Sequence, residues 1–467
     1  MNLLGIDVGT TSVKAAAFDE NGKMLFCRTY DYNLITSGDT VEFAADDYID
    51  IVKTAISDAR AEAEIYALAV DTQCETLILT DDNGKPLHNA VVWLDNRASE
   101  EALEIKEAFG NRKVYEITGQ PEITATWPAS KLLWFKKNLP EVFEKTRKIF
   151  LLEDYILYKL TGEFVTEKSL QSSSLYFDIR NGEWWDEMLT FLGVSKEKLP
   201  RLFDSAQYVG DYNGIKVMTS GMDQVAAAIG AGVLHEGDIS EMTGTSMVLF
   251  APCNSIPAYD PDSIIPCHYN FDGGYARILW TQTAGIALKW FKNNFCEDFS
   301  FADLDKLAEE VPPGCDGLTM LPHLSGSTMP KYNPSAKGSF TGVTLQHTRG
   351  HFVRSILEAV SAQLRENIEY LPYNVTSIKI MGGGAMSPLW CQIKADMTGK
   401  TLNTLKNRET ACLGSAILAG VGCGVFESVK SACEKIVLTD KTFSSSGVNY
   451  DEVFSRYKMT DNLLNPV

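Results

Sequence analysis

Positive charge is scarce in this chain of 467 residues, and so are the cysteine patterns that mark several common functions. Lys and Arg total 42 against 61 Asp and Glu, so the net charge is −19. That charge would repel a nucleic acid backbone or an anionic membrane surface, so neither is an expected partner. The ten cysteines include no CxxC pair and no disulfide pattern, which argues against a zinc site and a disulfide-built fold.

Membrane-spanning segments, export signals and the commonest phosphate-binding motifs are absent as well. The uncharged run from 412 to 426 is shorter than the roughly 20 apolar residues of a membrane span. The first residues lack a basic region followed by a long apolar stretch, so we expect a cytoplasmic protein. Because neither GxxxxGK[ST] nor GxGxxG occurs, any bound phosphate needs a different cradle.

What the sequence does contain predicts two related α/β domains. Three strand-like segments open the chain, separated by turns at 9–11 and 21–22, and a helical pattern over 44–63 leads into the apolar strand YALAVDT. A second turn of this kind, Gly-Thr-Ser at 244–246, lies between two further strand-like segments, which suggests a duplicated fold. We predict domains over 1–236 and 237–467, with a mostly helical insertion over about 100–202 in the first domain.

The glycine turns are candidate phosphate cradles. Successive amides at the hairpin tip Gly9-Thr10-Thr11 can point at an anion, and Asp7 just before it can hold a hydrated magnesium ion. Such a turn taken alone also serves simply to reverse a chain. The repeat at 244–246 and the bare backbone of 382–384 favour nucleotide binding, although a triple glycine can also be a tight packing turn.

Asp223 is the candidate general base. It stands where a strand ends and an alanine-rich helix begins, in TSGMDQVAAAIGAG, so its carboxylate would lie at a helix N-terminus. An aspartate that merely caps the helix is the simpler interpretation of that position. The neighbouring glycine turns favour the catalytic one.

Five segments along the chain form a recognisable set: GIDVGTTSVKAAAFD at the start, PASKLLWFKKN at 128–138, GMDQVAAAIGAG at 221–232, the stretch from 338 to 360, and MGGGAMSPLWCQIKADMTGK at 381–400. With these segments the chain resembles the FGGY carbohydrate kinases along nearly its whole length. It implies two actin-like or hexokinase-like (ribonuclease H-like) ATPase domains with the active site in the cleft between them. It also implies ATP and Mg²⁺ as cofactors.

The resemblance assigns roles to particular residues. Asp223 would accept the proton of the substrate hydroxyl, and Asp7 and Asp223 would organise Mg²⁺ beside the γ-phosphate. The residues implied in nucleotide binding are Thr10, Thr11, Gly244, Thr245, Gly285, Gly383, Gly384 and Ser387. Closure of the domains would then expel water from the site.

The substrate is less constrained than the reaction. The residues expected to contact it are Gln73, Cys74, Glu75, Thr76, Trp127, Asp223 and Gln224. Cys74 stands where glycerol kinases have an arginine, and the Gln-Met-His-Gly run of typical xylulose kinases is missing, so the substrate stays open. Trp127 is equally well interpreted as a core tryptophan beside Pro128.

The predicted function is therefore ATP-dependent phosphorylation of a hydroxyl on a small sugar, ketose or polyol, and the enzyme class is a carbohydrate kinase. The alternative is a non-catalytic, nucleotide-dependent sugar-binding or regulatory protein on the same fold. A small-molecule substrate is the expected partner, and a homodimer is compatible with the sequence.

Overall fold

The structure is a computed structural model that describes residues 1–466. Within that range two large mixed sheets dominate the architecture, one built from each half of the chain. No helix of the described chain is long and apolar enough to cross a membrane.

The first sheet takes its strands from residues 2–222, in the spatial order β5-β6-β4-β1-β2-β3. Its strands are β1 (Asn2–Val8), β2 (Ser12–Phe18), β3 (Met24–Asp31), β4 (Ile65–Thr72), β5 (Tyr208–Tyr212) and β6 (Ile215–Met222). Strands β1, β4 and β6 run parallel to one another, while β2, β3 and β5 run antiparallel to their neighbours. The three strands predicted to open the chain are thus present, with both turns where the sequence indicates them.

The second sheet repeats this plan in the order β9-β10-β8-β7-β11-β12-β13. Its strands are β7 (Asp238–Thr243), β8 (Met247–Cys253), β9 (Cys267–Tyr269), β10 (Tyr275–Thr281), β11 (Ser377–Gly382), β12 (Thr401–Leu405) and β13 (Thr439–Phe443). A β7–β8 hairpin beside the parallel strand β11 matches the β1–β2 hairpin beside β4. The duplication inferred from the two glycine turns is therefore seen in the topology.

Helices cover both sheets and build the insertion. They are α1 (Ala45–Glu62), α2 (Ser99–Thr118), α3 (Pro128–Asn138), α4 (Pro140–Lys145), α5 (Leu152–Thr161), α6 (Lys168–Gln171), α7 (Asp186–Leu192), α8 (Asp223–Gly230), α9 (Gly285–Phe295), α10 (Phe301–Glu309), α11 (Arg349–Glu369), α12 (Pro388–Thr398), α13 (Thr410–Gly422), α14 (Val429–Ile436) and α15 (Asp451–Leu464). Helix α1 illustrates why they form, because its buried residues recur every three or four positions along one face.

Short strands pair outside the two sheets. They are Ile35–Ser37, Thr40–Phe43 and Ala90–Val91 in one small sheet, Ile78–Thr80 with Lys148–Phe150, Val165–Glu167 with Arg201–Phe203, Phe177–Asp178 with Glu183–Trp184, and Thr319–Leu321 with Ser339–Thr341. Several of them lie in the segment 100–202, which is helical for most of its length and which shares an apolar cluster with Leu77, Leu79 and Val91. The limits of that insertion and the boundary at 236/237 stay predictions.

One helix from the second half of the chain packs onto the first half. Helix α13 lies against α8 and β1, and glycines on both sides allow the backbones to touch. A Cβ on Gly414 would sit 1.8 Å from the carbonyl oxygen of Ala226, and one on Gly230 would sit 1.8 Å from that of Thr410. Only glycine fits at these crossings, so the two halves are joined by a close helix pair beside the carboxyl ends of the first sheet's parallel strands.

Candidate active site

Three carboxylates meet at the ends of the three parallel strands of the first sheet. Asp7 on β1 is the register partner of Asp71 on β4, and Asp71 is in turn the partner of Gly221 on β6. Asp223 follows as the first residue of α8. Because parallel strands end at the same edge, the topology brings these side chains from distant parts of the sequence into one place.

The three carboxyl groups share an electrostatic environment that disfavours negative charge. Burial raises the pKa of Asp7 to about 6, against the opposing effect of the Lys14 ammonium. Burial and then the Asp7 charge raise the pKa of Asp223 to about 7. The same two causes hold the pKa of Asp71 well above its usual value. A cation or a bound proton is needed to stabilise this cluster.

Asp71 is the member that the sequence analysis missed. Its side chain is fully buried, and Oδ2 accepts a 2.5 Å hydrogen bond from the hydroxyl of Ser415 on α13. Its other oxygen, Oδ1, finds no hydrogen-bond partner anywhere in residues 1–466. The available signal was its position at the end of the apolar strand YALAVDT, in register with Asp7.

The first glycine turn closes the β1–β2 hairpin beside these carboxylates. The Gly9 amide donates to the Ser12 carbonyl at 3.0 Å. The Thr10 hydroxyl accepts a 2.9 Å hydrogen bond from the indole N–H of Trp93, while Thr11 is exposed at the tip. The turn is therefore braced from one side and open on the other, as a phosphate cradle requires.

The second glycine turn lies against two other glycine segments. A Cβ on Gly285, at the start of α9, would sit 2.3 Å from the Gly244 carbonyl oxygen, and the amides of Ala284 and Ile286 both donate to the Thr245 carbonyl at 3.1 Å. Gly382 is the register partner of Thr243, and a Cβ on Gly384 would sit 2.7 Å from the Cβ of Thr243. The structure thus brings together most of the residues implied in nucleotide binding.

A buried ion pair supports this second cradle. The Lys394 ammonium lies 2.8 Å from a carboxylate oxygen of Glu241 and 2.8 Å from the hydroxyl of Thr243, and both charged side chains are fully buried. Thr243 immediately precedes the 244–246 turn and touches Gly384. The ion pair therefore ties the two glycine turns to each other, and no local pattern in the sequence indicates it.

A cavity of about 180 Å³ lies beside the triple-glycine turn, on the side of the β11 and β12 ends. Gly382, Ala385 and Met386 line it from one side, and Asn407 and Arg408 line it from the other. The Ser387 hydroxyl accepts a 3.0 Å hydrogen bond from the Trp390 amide, so it caps α12. Ser387 has this structural role whether or not it also contacts a nucleotide.

The segment 73–76 lies next to Asp223, and we call it the substrate wall because it holds four of the expected substrate contacts. Gln73, Cys74 and Thr76 are buried, and Glu75 adopts the left-handed conformation with φ 61°. Burial raises the pKa of the Glu75 carboxyl to about 7, and the Asp223 charge acts in the same direction. Burial and nearby acidic groups, Asp223 among them, also raise the pKa of the Cys74 thiol well above its usual value.

The side chain of Lys131, on α3, hydrogen-bonds to the backbone of this segment. Its ammonium donates to the carbonyls of Glu75 and Val92 at 2.9 and 3.0 Å. Burial lowers its pKa to about 7. Lys131 lies in the PASKLLW motif, but nothing in that motif indicates that its side chain reaches back to residue 75.

The two remaining substrate candidates take different positions. Gln224 is partly buried beside Asp223, and its backbone N–H donates to the Asp223 carboxylate at 2.6 Å. Trp127 packs against the apolar cluster of the insertion, and its indole N–H donates to the Glu122 carbonyl at 2.9 Å. Trp127 therefore has the packing of a core tryptophan at one edge of the insertion.

The acidic edge fits magnesium as a shared ligand of protein and phosphate. In the described part of the chain, no three His, Cys, Asp or Glu side chains are arranged to hold a metal by themselves. Mg²⁺ commonly takes only one or two carboxylates from the protein and completes its shell with water and phosphate oxygens. Asp7 and Asp223, with raised pKa values and the unpartnered Oδ1 of Asp71 nearby, suit that mode.

Two family models match the chain in succession. The N-terminal domain of the FGGY family of carbohydrate kinases matches residues 2–233, and the C-terminal domain of the same family matches residues 243–423. Together they cover most of the chain in the order that the family requires.

Individual relatives agree with this assignment. The chain is 29% identical over 470 residues to a xylulose kinase of Staphylococcus epidermidis, covering 96% of this chain and 93% of the relative. It is 28% identical over 463 residues to a gluconokinase of Bacillus subtilis, covering 93% and 90%. A ligand-bound xylulose kinase structure from Lactobacillus acidophilus superposes with a TM-score of 0.92 over 100% of this chain and 98% of that one, at 24% identity.

These likenesses confirm the predicted fold of two actin-like α/β ATPase domains. The curated relatives carry the names of kinases that act on different sugars, and none of those described is a non-catalytic protein. The chain belongs to the FGGY family of carbohydrate kinases, and it is an ATP-dependent carbohydrate kinase.

Proposed function

We propose that the enzyme transfers the γ-phosphoryl group of ATP to a hydroxyl of a neutral small sugar, a ketose or a polyol, with Asp223 as general base. The observation that carries this proposal is the meeting of Asp7, Asp71 and Asp223 at one sheet edge, next to the β1–β2 hairpin turn at 9–11, which is of the kind that binds phosphate. Phosphoryl transfer needs such positioning and charge stabilisation more than it needs covalent chemistry.

Each part of the site has a task in this mechanism. The amides of the two glycine turns, with Thr10, Thr11, Gly244, Thr245 and Gly285, bind the phosphates, and Gly383, Gly384 and Ser387 bind the adenosine. Asp7 and Asp223 hold Mg²⁺, which neutralises charge on the phosphates when it is bound. Asp223 accepts the proton of the attacking hydroxyl, and its pKa near 7 suits a base that works at neutral pH.

The substrate wall favours a neutral polyhydroxy compound. Gln73 Oε1 and the Thr76 hydroxyl are buried and lack hydrogen-bond partners throughout the described chain, so substrate hydroxyls can satisfy them. The acidic side chains of Glu75 and Asp223 lie close to each other beside this segment. The nearby Lys131 ammonium already donates to two backbone carbonyls. A sugar acid would bring a further negative charge next to these two acidic side chains, whereas a neutral hydroxyl compound would not.

The test is a coupled ADP-release assay with MgATP and a panel of ketopentoses, ketohexoses, glycerol, larger polyols and gluconate. We expect at least one neutral compound to stimulate ADP release at a rate of order 1–10³ s⁻¹, and gluconate to be at least tenfold poorer in kcat/KM. Phosphorylated product is identified by ³¹P NMR. ADP release that no sugar stimulates would overturn the kinase mechanism, and a preference for gluconate would overturn the neutral-substrate proposal.

Cytoplasmic localisation and a homodimer stay predictions, to be checked by cell fractionation and by light scattering of the purified protein.

A further inference from the structure

The backbone that leads into Asp223 is irregular. Strand β6 pairs with β4 through Thr219 and again through Gly221, so Ser220 is an extra residue that bulges from the ladder. Gly221 has φ 107°, a conformation that residues with a side chain rarely adopt. A bulge redirects the chain and leaves amides without their ladder partners, so these amides need other acceptors.

Those acceptors are buried side chains from the helical insertion. One oxygen of Glu153, on α5, accepts from the amides of Ser220 and Gly221 at 2.8 and 3.0 Å. The hydroxyl of Ser169, on α6, accepts from the Met222 amide at 3.2 Å. The three amides that immediately precede Asp223 are therefore all held by side chains rather than by the sheet.

A second carboxylate fixes this support in place. Glu167 accepts a 2.5 Å hydrogen bond from the Ser169 hydroxyl and a 2.7 Å bond from the Ser169 amide. A Cβ on Gly221 would lie 2.1 Å from Glu167 Oε2, so only glycine fits at position 221. The backbone of 220–222 is thus confined from two sides before it enters α8.

We propose that Glu153 is a positioning residue, which sets the place of the Asp223 carboxylate by holding the amides of Ser220 and Gly221. This inference rests on the proposed role of Asp223 as the base. Two hydrogen bonds from successive backbone amides converge on one fully buried carboxyl oxygen, which makes this contact a directional clamp. Glu153 directs Oε1 away from its own helix, α5, and toward β6. This contact therefore serves the segment before Asp223 and not the hydrogen bonding of α5.

The chain offers a matched control in the next residue. Asp154 is as buried as Glu153, but its carboxylate accepts from the Leu151 amide and the Gln171 side chain, both outside the segment that leads to Asp223. Loss of Asp154 should therefore weaken the insertion without moving Asp223. Glu153→Gln supplies a conservative variant, since its amide oxygen can still accept from both backbone amides.

The experiment compares Glu153→Leu, Glu153→Gln and Asp154→Leu with the natural enzyme. For Glu153→Leu we expect kcat to fall about 10²-fold with KM for ATP unchanged, because a displacement of about 1 Å of a reacting group has that effect. Glu153→Gln should stay within about fivefold of the natural kcat. Asp154→Leu should lower the unfolding temperature and leave kcat within about threefold.

Hydrogen exchange of the peptide spanning 218–224 gives a second readout that does not depend on activity. Glu153→Leu should speed exchange there, and Asp154→Leu should not. Native kcat and native exchange in Glu153→Leu, or an equal loss of kcat in Asp154→Leu, would overturn the positioning role. If the natural enzyme phosphorylates no sugar, the proposed function fails by itself, while the exchange comparison still decides whether Glu153 holds this segment.

Discussion

The crossing of α8 and α13 makes Gly414→Ala an informative substitution. A Cβ at this position would stand 1.8 Å from the Ala226 carbonyl oxygen, whereas real Cβ atoms essentially never approach within 3.0 Å of another heavy atom. The helices would have to separate by at least about 1.2 Å, because the clash is with helix backbone that cannot rotate away. The next residue, Ser415, would move with its helix.

The expected effect has a stability part and a catalytic part. Overpacking of this kind costs about 1–3 kcal/mol of unfolding free energy. Ser415 donates to Asp71 at 2.5 Å and lies 2.6 Å from the Ser220 hydroxyl, so its displacement would disturb the carboxylate cluster directly. We therefore expect kcat to fall about 10²-fold, as it does when reacting groups are misplaced by about 1 Å.

Urea unfolding and steady-state kinetics measure the two parts separately. The control is Gly420→Ala on the same helix, whose Cβ would meet the side chains of Phe426 and Leu3 instead of a carbonyl. Those side chains can adjust, so Gly420→Ala should lose stability and keep a kcat within about threefold. A Gly414→Ala enzyme with natural stability and natural kcat would refute the argument that this contact fixes the site.

Three further outcomes follow from buried charges. Lys394→Met leaves the buried Glu241 carboxylate unpaired, so we expect the unfolding free energy, measured with urea, to fall by about 3–5 kcal/mol. We also expect KM to rise more for ATP than for sugar. An unchanged KM for ATP in the folded variant would contradict this. Lys131→Met frees the carbonyl of Glu75, and KM for sugar should rise about tenfold with KM for ATP unchanged, as steady-state assays would show. Burial raises the pKa of Asp154 to about 8 and of Glu167 to about 7, so these two groups bind more protons in the folded state than in the unfolded state between pH 5 and 7. Unfolding free energy should then fall as pH rises through that range, by roughly 1.4 kcal/mol per pH unit for each titrating group, and urea unfolding that shows a rise instead would contradict the assignment.

The sequence predicted the parts of the fold that depend on local patterns. Alternation and turn residues located the strands around 9–11 and 244–246, and apolar spacing located α1 and the strand YALAVDT. Asp223 was placed correctly at the start of a helix, because the switch from an apolar strand to an alanine-rich run is visible in the residues themselves. These signals extend over only a few residues, so single-sequence reasoning can use them.

The supporting residues could not be predicted because their contacts are distant in sequence. Ser415 reaches Asp71 across 344 positions, and Lys394 reaches Glu241 across 153. Glu153 and Lys131 lie on helices whose sequence patterns show only which faces are apolar. A buried polar residue on such a helix indicates that a partner exists, but only the assembled fold shows which backbone group it binds.

The most direct test of the account is a single-turnover measurement on Asp223→Asn. With saturating MgATP and the preferred sugar, rapid-quench analysis gives the rate of γ-phosphoryl transfer, and calorimetry gives the affinity for ATP. We expect a rate at least 10²-fold below that of the natural enzyme with ATP affinity within about threefold, since an amide cannot accept the proton. Transfer at the natural rate in this variant would contradict the claim that Asp223 is the general base of phosphoryl transfer.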